Sequence, residues 1–407
     1  LLEYSVVLKY FSRFFPASDN RNIALFYVLS ALSNAWFVAG NWIFYWTRFM
    51  TYGQLGWLDA LAFAFGLLME IPSGAISDML GKRRTIIAGM FFSAIGTITM
   101  ALAQNSLTLW VAFFSVQLGW ALHSGAAEAL AYDSLLEENR EAEYERVIAT
   151  NTVVVLIMTV ITTLLGGALY AVNFRFSHLA WGLAYCLGFI ISWWLSEPTV
   201  DSEQFSLKNY FLQIKMGIMQ LFKPKLQPYL FIILAVLGFD YLYSWGLIRP
   251  AMATQFGFFA EAQAILFAAF GLLAAIVVKF LPWLRKRISD RVGFLLLGGL
   301  ITAGFLLSVF PLGYWGIVAM LCIETAGYLA APWFSVVVNQ AIDSKFRATT
   351  LSTLALLIKI PYVVLAVLAG LMIERGTFNW FLLGVGGCSA IVVIFSYFKR
   401  GRVSEVQ

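Results

Sequence analysis

The feature that most restricts this chain is the recurrence of uninterrupted apolar runs as long as "FLLLGGLITAGFLLSVFPLG" at residues 294–313. A run of about 20 apolar residues is the length a helix needs to cross the hydrocarbon core of a bilayer. Inside that solvent each backbone amide has to be satisfied within the protein, which restricts the spans to helices or a closed barrel. Continuous rather than alternating hydrophobicity selects helices. Composition agrees: of 407 residues 61% are hydrophobic and 12% charged, against roughly 25% charged in soluble domains. The fold class expected is therefore an all-α integral membrane protein.

Counting the runs gives spans near 22–48, 54–79, 85–103, 107–134, 147–172 and 177–196, then 228–254, 260–281, 292–313, 315–340, 348–373 and 378–398. These are twelve helices in two sets of six. The domains expected are an interfacial N-terminal helix over 1–21, an N-terminal half over 22–196, a linker over 197–227 carrying Lys208, Lys215, Lys223 and Lys225, a C-terminal half over 228–398 and a tail over 399–407. With the N-terminus inside, one side of the membrane receives nearly all cations, among them Lys9, Lys82, Arg140, Arg285 and Lys399, and the other only Arg48, Arg175, Arg249 and Arg375. That asymmetry puts the linker and both termini in the cytoplasm. The net charge of +5 is explained the same way, without nucleic acid as a partner. The N-terminal "LLEYSVVLKYFSRFF" lacks a small-residue cleavage site and reads as an interfacial helix, not a signal peptide. Cys186, Cys322 and Cys388 each fall in an apolar run and read as packing residues.

Between the second and third spans stands a polar knot, "SGAISDMLGKRRT", with the spacing Gly74-x-x-x-Asp78-x-x-Gly81-Lys82-Arg83-Arg84. Small residues permit close approach there, and an acid at the membrane edge calls for a cation or a helix N-terminus. The knot resembles the loop signature of the major facilitator superfamily, and the twelve spans with a central basic linker resemble that family over the whole chain. "EALAYDSL", ending the fourth span, and "NQAIDSKFRATTLS", opening the eleventh, agree with it. The resemblance implies a transporter of two pseudo-symmetric six-helix halves in which the signature is a cytoplasmic latch. It implies that Asp78 contacts the start of the eleventh helix near Phe346 to Thr349, with Arg347 beside it, and that Arg83 or Arg84 pairs with Asp133. The matching loop of the second half, "PWLRKRISDRVG", lacks the glycine spacing, so the latch reads as one-sided.

Ionisable groups at membrane depth are costly and each is a functional hypothesis. Glu70, beside Pro72, is either a proton-coupling carboxylate or a hydrogen-bonding strut. Asp240 has Tyr243 and Ser244 on its face and either lines a cavity or pairs with Arg249. Glu324 and Lys359 either pair with each other or receive an anionic group. His123, read as the one intramembrane histidine, is a satisfied core residue or a ligand contact, and Glu128, five residues on, faces elsewhere. Nothing stands at metal-ligand spacing. On a continuous first helix Asn34, Asn41 and Tyr45 share a face. In the family the first, fourth, seventh and tenth helices line the cavity, which implies that this face lies opposite Asp240, Tyr243, Glu324 and Tyr328.

There is no Walker-type loop, nucleophile elbow or paired-histidine motif, so neither ATP nor enzymatic chemistry is expected, and no cofactor beyond a proton gradient. The expected function is proton-coupled secondary transport of a small organic or amphipathic solute by a monomer in a prokaryotic cytoplasmic membrane, with export preferred to uptake of an organic anion. The fifth span has Gly166-Gly167 but no proline, and the first span has no acid, which departs from drug and proton antiporters of the family. A receptor or scaffold without transport is the reading from another class, and the buried charges speak against it.

Overall fold

The computed structural model describes residues 14–199, 207–227, 229–342 and 344–398, and among them every regular element is helical. We number the helices α1 (Arg21–Ser33), α2 (Trp42–Trp46), α3 (Tyr52–Leu80), α4 (Lys82–Ala101), α5 (Ser106–Glu137), α6 (Tyr144–Val172), α7 (Phe176–Ser192), α8 (Leu207–Leu221), α9 (Leu230–Ser244), α10 (Ile248–Gln255), α11 (Ala260–Lys279), α12 (Leu281–Arg285), α13 (Asp290–Leu307), α14 (Gly316–Ala341), α15 (Ser344–Glu374) and α16 (Phe378–Phe398). Eight helices are long and apolar enough to cross a membrane, and two bent pairs raise that to ten. The shorter apolar α1 and α7 stand where the first and sixth spans are expected, which gives the twelve-span architecture.

Three spans differ from the simple rods expected. The first is broken: α1 ends at Ser33, and after an irregular stretch the chain resumes helix at Trp42. Asn34 ends α1 by folding its side chain back, its Nδ2 donating to the Ser30 carbonyl at 2.9 Å. The second span bends by 45° where Pro72 follows Glu70, since proline cannot donate the i to i−4 bond. The seventh turns by 67° between α9 and α10. The linker is not irregular throughout, because α8 occupies much of it. The N-terminal 1–13 and the 399–407 tail lie outside the described residues.

The chain forms two compact units. The first comprises Leu1–Met50, Leu61–Leu207 and Ala260–Ala268; the second comprises Thr51–Ala60, Lys208–Phe259 and Ala269–Gln407. In the first, α4 packs along α5 and α7, while α1 packs on α6 and α7. In the second, α13 packs on α14 and α16, and α9 on α14 and α15. The start of α3, as far as Ala60, belongs to this second unit and runs along α15.

Candidate functional site

In the second unit the break of the seventh span gathers charge. Trp245 is extended and Gly246 adopts φ +75°, a left-handed conformation that only glycine enters without strain. α10 can restart at once because Pro250 falls in its first turn, where its missing N–H has no helical partner to lose. The turn brings Arg249 back onto α14, where its Nε lies 2.8 Å from Glu324 Oε1. Glu324 is 2% exposed. Tyr243 of α9 donates its hydroxyl to the same oxygen at 3.2 Å, and Tyr328, one turn along α14, bonds the carboxylate as well. The Arg249 guanidinium lies 5.6 Å from the centre of the Phe270 ring, a cation–π arrangement.

Asp240 completes the group. Its Oδ1 accepts from Ser244 Oγ at 3.1 Å, and it is close enough for its charge to act on Glu324 and Arg249. Its carboxyl fills the space beside Gly327 of α14, where any Cβ would overlap it. The structure thus brings together Asp240, Tyr243, Glu324 and Tyr328, as the sequence suggests. It resolves two open pairings differently from either bland reading: Arg249 pairs with Glu324, not Asp240, and the bonds on Glu324 do not come from Lys359. The 67° turn is the reason, since it redirects Arg249 toward the tenth span.

The other cavity residues are a correction. Because the first span is broken, the seven-residue spacing of Asn34 and Asn41 no longer puts them on one face. Asn41 is fully buried, donating to the Phe37 and Gly166 carbonyls at 3.2 Å each and accepting from Ser177 Oγ at 2.9 Å. Tyr45, also fully buried, donates to the Met100 and Ala101 carbonyls and stacks on His178 at 3.9 Å. Both hold helices together inside the first unit. His178, in the first turn of α7, is 0% exposed and also falls within the expected sixth span, so His123 is not alone. The His123 ring is partly covered, and its Nε2 is buried with no partner among the described residues. Glu70 and Glu128 are exposed, and Lys359 is half-buried on α15. Cys388 is exposed and Cys186 and Cys322 partly so, so none is a fully buried packing residue.

The signature loop is tied down in the first unit, with a different cation. Gly81 takes φ +91° between α3 and α4, and a Cβ there would meet the Glu197 carboxyl at 2.8 Å. Lys82, not Arg83 or Arg84, forms the ion pair with Asp133, and both are buried. Successive helical residues point about 100° apart, so one cation of the three can face α5. Arg83 instead donates to the Trp193 carbonyl at 2.9 Å, and Arg84 is exposed. Sequence reasoning missed Glu197, whose carboxylate accepts from the backbone of Lys82 at 2.6 Å and of Arg83 at 2.8 Å. It caps α4 where the helix dipole favours an anion. Asp78 and Gly74 sit on the last turns of α3, Asp78 exposed and near enough to act on Lys82. The expected contact of Asp78 with residues 346–349, and the side chain of Arg347, lie outside what is described.

The second-half loop is held too, so the lack of glycine spacing does not leave it untied. Asp290, at the start of α13, pairs with Arg285 at 3.1 Å and accepts from Trp333 Nε1 at 2.7 Å.

The sequence model of the Major Facilitator Superfamily matches residues 23–360. The chain belongs to that superfamily. It is a multi-pass membrane transporter, not an enzyme. It is similar to the multidrug resistance protein MdtH of Yersinia pestis (strain Pestoides F), 24% identical over 374 residues, covering 86% of this chain and 89% of the relative. To MdtH of Baumannia cicadellinicola it is 30% identical over 149 residues, and the match spans only 35% of that relative's length. The uncharacterized MFS-type transporter YxaM of Bacillus subtilis is 22% identical, covering 66% of this chain and 68% of the relative. Among solved structures, the nucleoside transporter NupG superimposes with TM-score 0.69 at 14% identity, covering 92% of this chain and 97% of NupG. A bacterial homolog of the lysosomal transporter Spinster gives 0.66 at 17% identity, covering 92% and 95%. At those identities the structures speak to the fold alone.

Proposed function

We propose that this superfamily member exports small amphipathic or organic solutes across a prokaryotic cytoplasmic membrane by alternating access, driven by a proton gradient and acting as a monomer with both termini in the cytoplasm. The observation that carries the reading is the charge cluster at the break of the seventh span, with Glu324 buried and Asp240 and Arg249 half-buried beside it. Discontinuous helices at membrane depth are where secondary transporters bind solutes and coupling ions, and buried charges there are too costly to keep for packing alone. The aromatic wall of the first unit suits a flat or amphipathic solute: Trp36, at the break of the first span, stacks on Trp120 at 5.8 Å, with Trp181 6.4 Å away. The name of the MdtH relatives, multidrug resistance protein, favours export.

The test is flux of a panel of amphipathic and organic solutes in proteoliposomes under opposite pH gradients. Solute moving against an inward proton gradient supports the proposal. Flux indifferent to the gradient removes proton coupling, and accumulation with the protons reverses the direction.

A further inference from the structure

Asp59 lies in "QLGWLDALAF", within the second span, and is 4% exposed. Among the described residues its one hydrogen bond comes from Tyr362 of α15, whose hydroxyl donates to Oδ2. No cation pairs with it there. The titratable groups around it are few: Tyr362 touches it, Tyr241 of α9 meets the Tyr362 ring edge-on at 5.5 Å, and the turn after α9 presents the backbone of Gly246. A Cβ on Gly246 would overlap both the Tyr362 hydroxyl and Asp59 Oδ2. The surroundings continue as a close seam of two antiparallel helices. Gly53 N–H donates to Glu374 at 2.6 Å, and a Cβ on Gly56 would lie 2.7 Å from the Ala366 carbonyl and 3.2 Å from Gly370 Cα.

An ionised carboxylate stays in such a place only with an opposite charge or several donors. Glu324 has both, in Arg249, Tyr243 and Tyr328. Asp59 has a single neutral donor, which suits a neutral carboxyl.

We propose that Asp59 is a proton-binding site of this transporter: the closed seam between Tyr52–Ala60 and α15 keeps the proton on its carboxyl, and parting of the seam releases it. On release the proton passes from the Asp59 oxygen to water that enters the opened seam, and the carboxylate left behind is stabilised by that water. Closure requires reprotonation, because shutting the seam on the anion strips its hydration. The coupling runs through Gly246, which abuts the Asp59–Tyr362 pair and also forms the turn that aims Arg249 at Glu324. This deepens the proton-driven reading and rests on it.

The experiment is infrared titration of the full-length protein in liposomes, which needs no solute. Wild type is expected to show at pH 7 a protonated carboxyl C=O band of one group that is lost in Asp59→Asn. Tyr362→Phe, which keeps the acid and removes its donor, is expected to move that band to higher frequency. An unchanged band in Asp59→Asn, or no shift in Tyr362→Phe, overturns the assignment. If the infrared result stands while wild-type vesicles show no proton-driven flux, the proposed function has failed and the proton site has not. If wild type pumps on the gradient and Asp59→Asn pumps equally well, the site is overturned and the function is not.

Discussion

Replacing Arg249 by Met removes the positive charge facing Glu324 while keeping an unbranched apolar stem. The carboxylate it leaves is 2% exposed and loses a partner at 2.8 Å. Removing one member of a buried pair costs about 3–5 kcal/mol. Tyr243 and Tyr328 still donate to Glu324, so the low end applies, about 3 kcal/mol. The second unit has roughly 200 residues, and at about 2.1 cal/mol/K per residue that cost lowers Tm by about 7 °C. The double variant Arg249→Met with Glu324→Gln removes the stranded charge and is expected to recover to within about 1 kcal/mol of wild type, or about 2 °C. Thermal unfolding followed with a thiol-reactive dye suits the measurement, because Cys322 is partly covered two residues before Glu324 in the same helix. If the single variant melts with wild type, or the double falls by the sum of the singles, the pair is not coupled and the electrostatic account of this site is wrong.

Glu197→Gln weakens the cap on α4 and is expected to cost about 1 kcal/mol, read by denaturation and by faster amide exchange at Lys82 and Arg83. Asp78→Asn is expected to lower transport while a stabilising solute still raises Tm, since the last turn of α3 is far in sequence from the charges at the seventh-span break; lost binding would refute a gating role. Arg140 holds the Asp19 and Glu143 carboxyls below their usual values by side-chain hydrogen bonds. Their stabilising effect is therefore present above the ordinary carboxylate range and lost as pH falls through the lowered values. The stability gap between wild type and Asp19→Asn should close with acidification; a gap that widened would contradict the pairing.

The spans were legible because lipid demands long runs of apolar side chains and a folded protein cannot evade that demand. The breaks were not: "SNAWFVAGN" and "YSWGLIRP" are less apolar than the helices they follow, but each is too short to split a run of about 20 residues into two. Asp240 and Glu324 could be found by asking which charges sit at membrane depth. The same question applied to Asp59, which lies inside a predicted span, would have found it too. Which cation serves Glu324 could not be read, because a turn of 67° decides it. Likewise the choice of Lys82 over its two arginine neighbours depends on where α4 starts, and Glu197 is 115 positions away from the amide it caps.

That separation has a consequence for synthesis. The carboxylate completing the start of α4 leaves the ribosome 115 residues after Lys82, which at about 5–20 residues per second is a delay of roughly 6–23 s. Through that interval the signature loop has its own residues in place but no cap, so the first unit passes through a stage with three or more spans inserted and one helix end open. The stretch just beyond the sixth span closes it, making the end of the first six-helix set a check that the set is complete.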